Sequence, residues 1–141
     1  MANAGKNATG YVILGVADSI VDAEKIRQTY SQDFIKVGEF YVTGINGEVE
    51  KFYKNYDEYI SAIKEALNNA PLQDHYRRQI GAKMRHVNYC GKSVIILRIT
   101  CNNGPAIFNG AYFTRSGPSN NPKQVTAEEM PAFISQFIEN R

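Results

Sequence analysis

AGKNATGYVILGVAD, residues 4–18, admits two readings, and the choice between them decides the fold. Gly5-Lys6 followed by Thr9-Gly10 suggests a loop that cradles phosphate. Tyr11-Val12-Ile13-Leu14-Gly15-Val16 suggests a buried strand that delivers a carboxylate, Asp18, at its end. A phosphate loop needs a strand before it, a Lys-Ser/Thr pair, and a helix after it whose N-terminal amides receive the anion. Lys6 is followed by Asn7, and a strand comes next instead of a helix. The stretch is therefore read as a loop leading into a strand. Residues 11–16 are apolar on both faces, so the strand is expected at the centre of its sheet. Gly10 lets the chain enter that strand, and Gly15 lets a neighbouring segment approach closely.

Residues 20–30 follow, with Ile20, Val21, Ala23, Ile26 and Tyr30 at the spacing of a short amphipathic helix. Phe40-Tyr41-Val42-Thr43-Gly44-Ile45 reads as a second strand. The clearest helix comes next, with Asn55 as its cap, Glu58 three residues on, and Tyr56, Tyr59, Ile60, Ile63 and Leu67 in one stripe. Pro71 ends it. A long hairpin is expected with Cys90-Gly91-Lys92 at its turn and residues 94–101 as the returning strand. Asn109-Gly110, between Ile107-Phe108 and Tyr112-Phe113, marks a short hairpin. Thr126 and Glu129 form a capping box, Val125 is placed to staple onto Met130, and Phe133, Ile134, Phe137 and Ile138 make the buried face of a last helix. Pro131 is expected to shorten or distort its start. This order predicts an α+β fold with a mixed, mostly antiparallel sheet and helices packed against it.

The chain has 141 residues, enough for one domain with its own core, and neither a repeat nor a linker divides it. A single domain over 1–141 is expected. No stretch approaches the roughly 20 apolar residues that span a bilayer, and with no apolar run after Met1 a secretory signal is not expected. Cys90 and Cys101 are too few for a disulfide framework, so a cytoplasmic setting is expected. Net charge is only +2, but its distribution is lopsided. Residues 1–50 carry seven Asp/Glu against four Lys/Arg, and residues 51–100 carry nine Lys/Arg against four Asp/Glu. Such asymmetry marks an interaction face.

The basic run is HYRRQIGAKMRH, residues 75–86. Arg77, Arg78, Lys83 and Arg85 are of the type that tracks phosphates, and Tyr76 is of the type on which a base stacks. The competing reading is a solvated helix end and edge strand, where Lys and Arg discourage pairing. Arg98, on the face shared by Val94, Ile96 and Thr100, and Arg115 extend the basic set. His75, His86, Cys90 and Cys101 match no common zinc spacing, and no Gly-x-Ser-x-Gly elbow is present. No catalytic residue, metal or cofactor is expected.

Ala2-Asn3-Ala4 followed by Gly10 to Asp18 resembles the Ala-Asn … Gly-(apolar run)-Gly-Val-x-Asp signature of the Schlafen AlbA_2 domain family. Val42-Thr43-Gly44-Ile45 stands where that family has Val-x-Gly-Ile. Tyr112-Phe113-Thr114-Arg115-Ser116-Gly117 is similar to its Tyr-x-x-Arg-x-Gly segment, and the Thr126 to Glu129 box matches as well. The motif positions carried over are Asn3, Gly10, Gly15, Asp18, Gly44 and Gly117. The resemblance implies a nucleic-acid-associated α+β domain, often the N-terminal module of larger bacterial transcriptional regulators. Some relatives cleave RNA with three carboxylates, two of them on a strand preceding this point. Ala17 stands where one acid of a pair often sits, and Asp18 is left. The chain is accordingly expected to be a fragment or a shortened member, and not a nuclease.

The expected function is DNA or RNA binding within a larger regulatory or defence protein, through Arg77, Arg78, Lys83, Arg85, Arg98, Arg115 and Tyr76. The alternative is a protein-interaction or homodimerisation module. A metal-dependent ribonuclease is a third reading, requiring Asp18 to be completed by acids such as Asp22 or Glu24.

Overall fold

Gly15 cuts the opening apolar run in two. It sits at φ +98°, a backbone conformation that L side chains rarely adopt, and the chain turns there from one sheet to another. The computed structural model describes residues 3–115 and 121–138. Strand β1 is Thr9–Leu14 and β2 is Val16–Ala17, followed by helix α1, Ile20–Tyr30. Ser19 caps α1, its hydroxyl accepting from the Asp22 N–H at 3.2 Å. Then come β3, Ile35–Val37, β4, Phe40–Val42, and the short helix α2, Asn46–Phe52. Helix α3 is Tyr56–Asn68 and α4 is Asp74–Lys83. Strands β5, Arg85–Tyr89, and β6, Lys92–Thr100, form the long hairpin. The chain continues through β7, Ile107–Phe108, β8, Ala111–Arg115, and β9, Pro122–Gln124, to helix α5, Met130–Ser135.

The strands make three small antiparallel sheets, ordered β1-β6-β5, β2-β4-β3 and β7-β8-β9, and with five helices among the described residues the fold is α+β. The expected central place of the first strand is corrected. β1 is an edge strand, and its residues alternate in exposure, with Tyr11 and Ile13 outward. Apolar character on both faces came from a tyrosine and an isoleucine that solvent reaches.

Two compact units divide the chain. The first comprises Met1–Val12, Asn68–Lys83 and Arg98–Arg141. Its buried side chains include Tyr76, Ile80, Ile99, Cys101, Val125 and Phe133. Asn109 and Gly110, at φ +50° and +76°, form the expected hairpin turn between β7 and β8. The capping box is present, with the Glu129 N–H donating to Thr126 Oγ1 at 3.3 Å and the Thr126 N–H to Glu129 Oε2 at 3.2 Å. It closes the turn before α5, and Phe133 is the buried residue of that helix. Ile138, expected on the buried face, is exposed.

The second unit comprises Ile13–Leu67 and Met84–Leu97. Its core is Ile45, Val49, Tyr59 and Ile95, with Leu14, Tyr56, Ile60, Ile63 and Leu97 packed against them. Asn55 caps α3 as its sequence implies, accepting from the Glu58 N–H at 2.9 Å. The Gly15 carbonyl accepts from both Thr43 N–H and Gly44 N–H, at 3.0 and 2.9 Å. A Cβ at Gly15 would lie 3.1 Å from the Ser93 carbonyl oxygen and 3.2 Å from Gly44. That is the close approach its sequence context implied.

Candidate nucleic-acid interface

Three uncharged amides tie backbone segments of the first unit together, two of them from the basic helix α4 and the residue before it. The Gln79 side chain accepts from the Thr100 N–H at 2.5 Å and donates to the Thr100 carbonyl at 3.1 Å. The Gln73 amide accepts from the Ile107 N–H at 2.7 Å and donates to the Pro105 carbonyl at 3.2 Å. Asn3 completes the set. Its amide donates to the Ala106 and Phe113 carbonyls at 2.9 and 3.0 Å, and its oxygen accepts from the Ala106 N–H at 2.8 Å. Backbone groups at the end of β6, in the loop that follows it and on β7 and β8 are satisfied by these side chains. Each amide here imitates a strand partner.

On this scaffold the expected binding residues separate by role. Tyr76, expected as a stacking platform, is fully buried; its hydroxyl donates to the Gly104 carbonyl and accepts from the Asn103 N–H. Burial raises its phenol pKa. No ring face is offered to a base, so Tyr76 is a core residue in this structure. Arg77 is turned inward, its side chain 28% exposed, donating from Nη1 to the carbonyl of Asn68, the last residue of α3, at 2.7 Å, and meeting Asp74 at 3.4 Å. Arg78 is 81% exposed, but Asp74 Oδ2 lies 2.7 Å from it. Both arginines share one carboxylate.

Lys83, Arg98 and Arg115 differ. All three are exposed, and among the described residues none has a carboxylate within ion-pair distance. Lys83 lies one helical turn beyond Gln79, and Arg98 lies two residues before Thr100, so the Gln79–Thr100 pairing connects their elements. Arg85 belongs to the second unit. It is exposed on β5, opposite Ile96 of β6.

A hollow of about 700 Å³ in the first unit is lined by Thr9, Gly10, Tyr11 and Val12 of β1, Phe113, Thr114 and Arg115 of β8, and Pro122. Tyr11 in this lining is 57% exposed. Sequence reasoning placed Tyr11 in a buried run and missed it; the signal available was the polar Thr9 two residues earlier on the same strand face.

Of the motif positions, Asn3 serves as an amide clamp, Gly10 is buried in β1, and Gly15 and Gly44 make the close backbone approach of the second unit. Ser116 and Gly117 lie outside the described residues. Asp18 follows β2 and is exposed. The acids named as its complement are engaged on α1: Asp22 accepts from the Ser19 hydroxyl at 3.0 Å, and Glu24 pairs with Arg27 at 2.6 Å. Among the described residues no three His, Cys, Asp or Glu side chains are grouped to hold a metal.

A second cavity, of about 320 Å³, lies in the second unit against Gly15, Thr43, Gly44, Glu48 and Tyr59. The Tyr59 hydroxyl donates to Glu48 Oε2 at 3.4 Å, and burial together with the Glu48 carboxylate pushes its pKa up to about 12. A phenol held neutral in this way is a hydrogen-bond donor and not a base.

Among the described residues no helix is long and apolar enough to cross a membrane. Comparison of the chain with family models, with curated proteins and with solved structures finds no match.

Proposed function

We propose that this chain is a nucleic-acid-binding domain of the Schlafen AlbA_2 type, acting within a larger regulatory or defence protein and holding its ligand mainly through phosphate contacts. The observation that supports this reading is the set Lys83, Arg98 and Arg115, three exposed cations in one unit without a carboxylate partner among the described residues. A cation already paired must give up its partner to meet a phosphate, whereas these three need not. Arg85 adds a further exposed cation on the second unit, and Arg78 contributes with its Asp74 pair as a competitor. The motif series from Asn3 to Glu129 supports the family assignment.

The test is fluorescence anisotropy with labelled single- and double-stranded DNA and RNA over a range of salt. Three phosphate contacts on a duplex give a log-log salt slope of about −3. The variant Lys83→Ala/Arg98→Ala/Arg115→Ala should lose most of the affinity and flatten the slope. Tight binding that ignores salt would contradict the mechanism. Absence of binding by the folded chain at low salt would favour the other reading, a protein-interaction module. One feature supports that reading: Ile13, Val87 and Tyr89 of the second unit expose apolar surface on the strands of one sheet.

A further inference from the structure

Thr9 and Thr100 bond through their hydroxyls at 2.8 Å, which fixes where β1 meets β6. The Cys101 N–H donates to the Ala8 carbonyl at 3.0 Å, one step back along the same pairing. β1 and β6 are neighbours in an antiparallel sheet. Continuing the register by two residues sets Tyr11 opposite Arg98, on the face that carries Thr9 and Thr100. Cross-strand neighbours on one face have Cβ atoms about 5 Å apart. Tyr11 and Arg98 are both exposed there. Across the hollow that Tyr11 helps to line stands Arg115 of β8, also exposed.

An open aromatic ring with a cation beside it and a second cation across a groove is the chemistry that holds an unpaired nucleotide: the ring takes the base face and the guanidiniums take the phosphates on either side. A duplex keeps its base faces stacked internally and offers nothing to Tyr11. We infer that Tyr11, Arg98 and Arg115 form a single-strand subsite in the first unit, with one base stacked on Tyr11 and the flanking phosphates held by the two arginines. This inference rests on the nucleic-acid reading and narrows it to single-stranded ligands at this hollow. The Thr9 hydroxyl and the edge of β1, which no strand pairs among the described residues, add polar groups beside the ring without adding negative charge. Charge complementarity thus favours a polyanion over an uncharged peptide strand in this groove.

The experiment compares wild type, Tyr11→Leu and Tyr11→Phe for anisotropy binding to labelled oligothymidine and oligouridine of about ten nucleotides, an abasic strand of the same length, and a duplex. Tyr11 is more exposed than buried, so its replacement leaves the core intact, and circular dichroism melting checks this. Tyr11→Leu should weaken binding to the base-bearing single strands by at least about fivefold, and Tyr11→Phe should bind them as wild type does. The abasic strand and the duplex should bind all three proteins alike. Unchanged single-strand binding by Tyr11→Leu, or an equal loss on the abasic strand, overturns the subsite while leaving the phosphate-binding reading standing. An extended peptide along the β1 edge would then become the occupant to test. Failure of the wild-type chain to bind any oligonucleotide at low salt overturns both.

Discussion

Gln79 pairs with both backbone groups of Thr100, its oxygen 2.5 Å from the amide nitrogen and its nitrogen 3.1 Å from the carbonyl. One helix side chain thus completes the end of β6 and ties α4, with Lys83, to the strand that carries Arg98. The Gln79→Ala variant leaves both Thr100 groups without a partner in a half-buried setting. It should lower unfolding free energy by about 2 kcal/mol, read as a shift in the urea midpoint without a change in slope.

Gly15→Ala should cost a similar amount for a different reason. At φ +98° a Cβ is strained, and it would press on the Ser93 carbonyl and on Gly44. A loss of about 2 kcal/mol in urea unfolding is expected.

The two arginines beside Asp74 should separate in a stability assay. Arg77→Ala removes the bond to the Asn68 carbonyl and the packing of a half-buried stem, for a loss of about 1–2 kcal/mol. Arg78→Ala breaks only an exposed i,i+4 pair and should stay within about 0.5 kcal/mol of wild type. Thermal melts of the two variants side by side decide the matter.

Tyr59 predicts an alkaline weakness. In the unfolded chain its phenol ionises near pH 10, and in the fold near pH 12, so between these values the unfolded state alone releases the proton. This contribution to stability is complete below pH 10 and is lost as pH rises toward 12. Urea midpoints at pH 9 and pH 11 should differ more in wild type than in Tyr59→Phe.

The two thiols should react very differently. Cys90 is exposed at the β5–β6 turn, whereas Cys101 is fully buried, and burial raises its pKa. A thiol reagent at neutral pH should label one cysteine quickly and the second only on unfolding. Rapid reaction of both would show that the amide-clamped loop opens.

What the sequence reveals here is mostly local. The Asn55 cap, the Tyr56, Tyr59, Ile60 and Ile63 stripe of α3, and the Asn109-Gly110 turn depend on residues within a few positions of each other, and each forms as expected. The Thr126–Glu129 bonds also form, but they close a turn, and α5 begins only at Met130 without a side-chain cap. The short helix α2 and strand β3 carry no such signal: Asn46-Gly47 reads as a turn, and three residues are too few for alternation to show. The cations of the candidate site could be named from the sequence, but not their surroundings. In a linear reading Tyr76 stands beside two arginines, whereas Tyr11 stands in an apolar run. Only tertiary structure buries the first against Gly104 and leaves the second at a sheet edge. Likewise Asp74 cannot be seen from composition to occupy Arg77 and Arg78 together, while Lys83, Arg98 and Arg115 have no carboxylate within ion-pair distance among the described residues.

The clamps made by Asn3, Gln73 and Gln79 carry no formal charge and have no titratable proton between acid and alkaline pH. Ionic strength, which screens the contacts between exposed cations and phosphates, has little hold on a network of neutral amides. The frame and the proposed phosphate attraction therefore answer to different solvent variables. If the chain binds nucleic acid as proposed, a rise in salt should release the strand from a domain that keeps its shape, so the same molecule is loaded and stripped repeatedly without refolding.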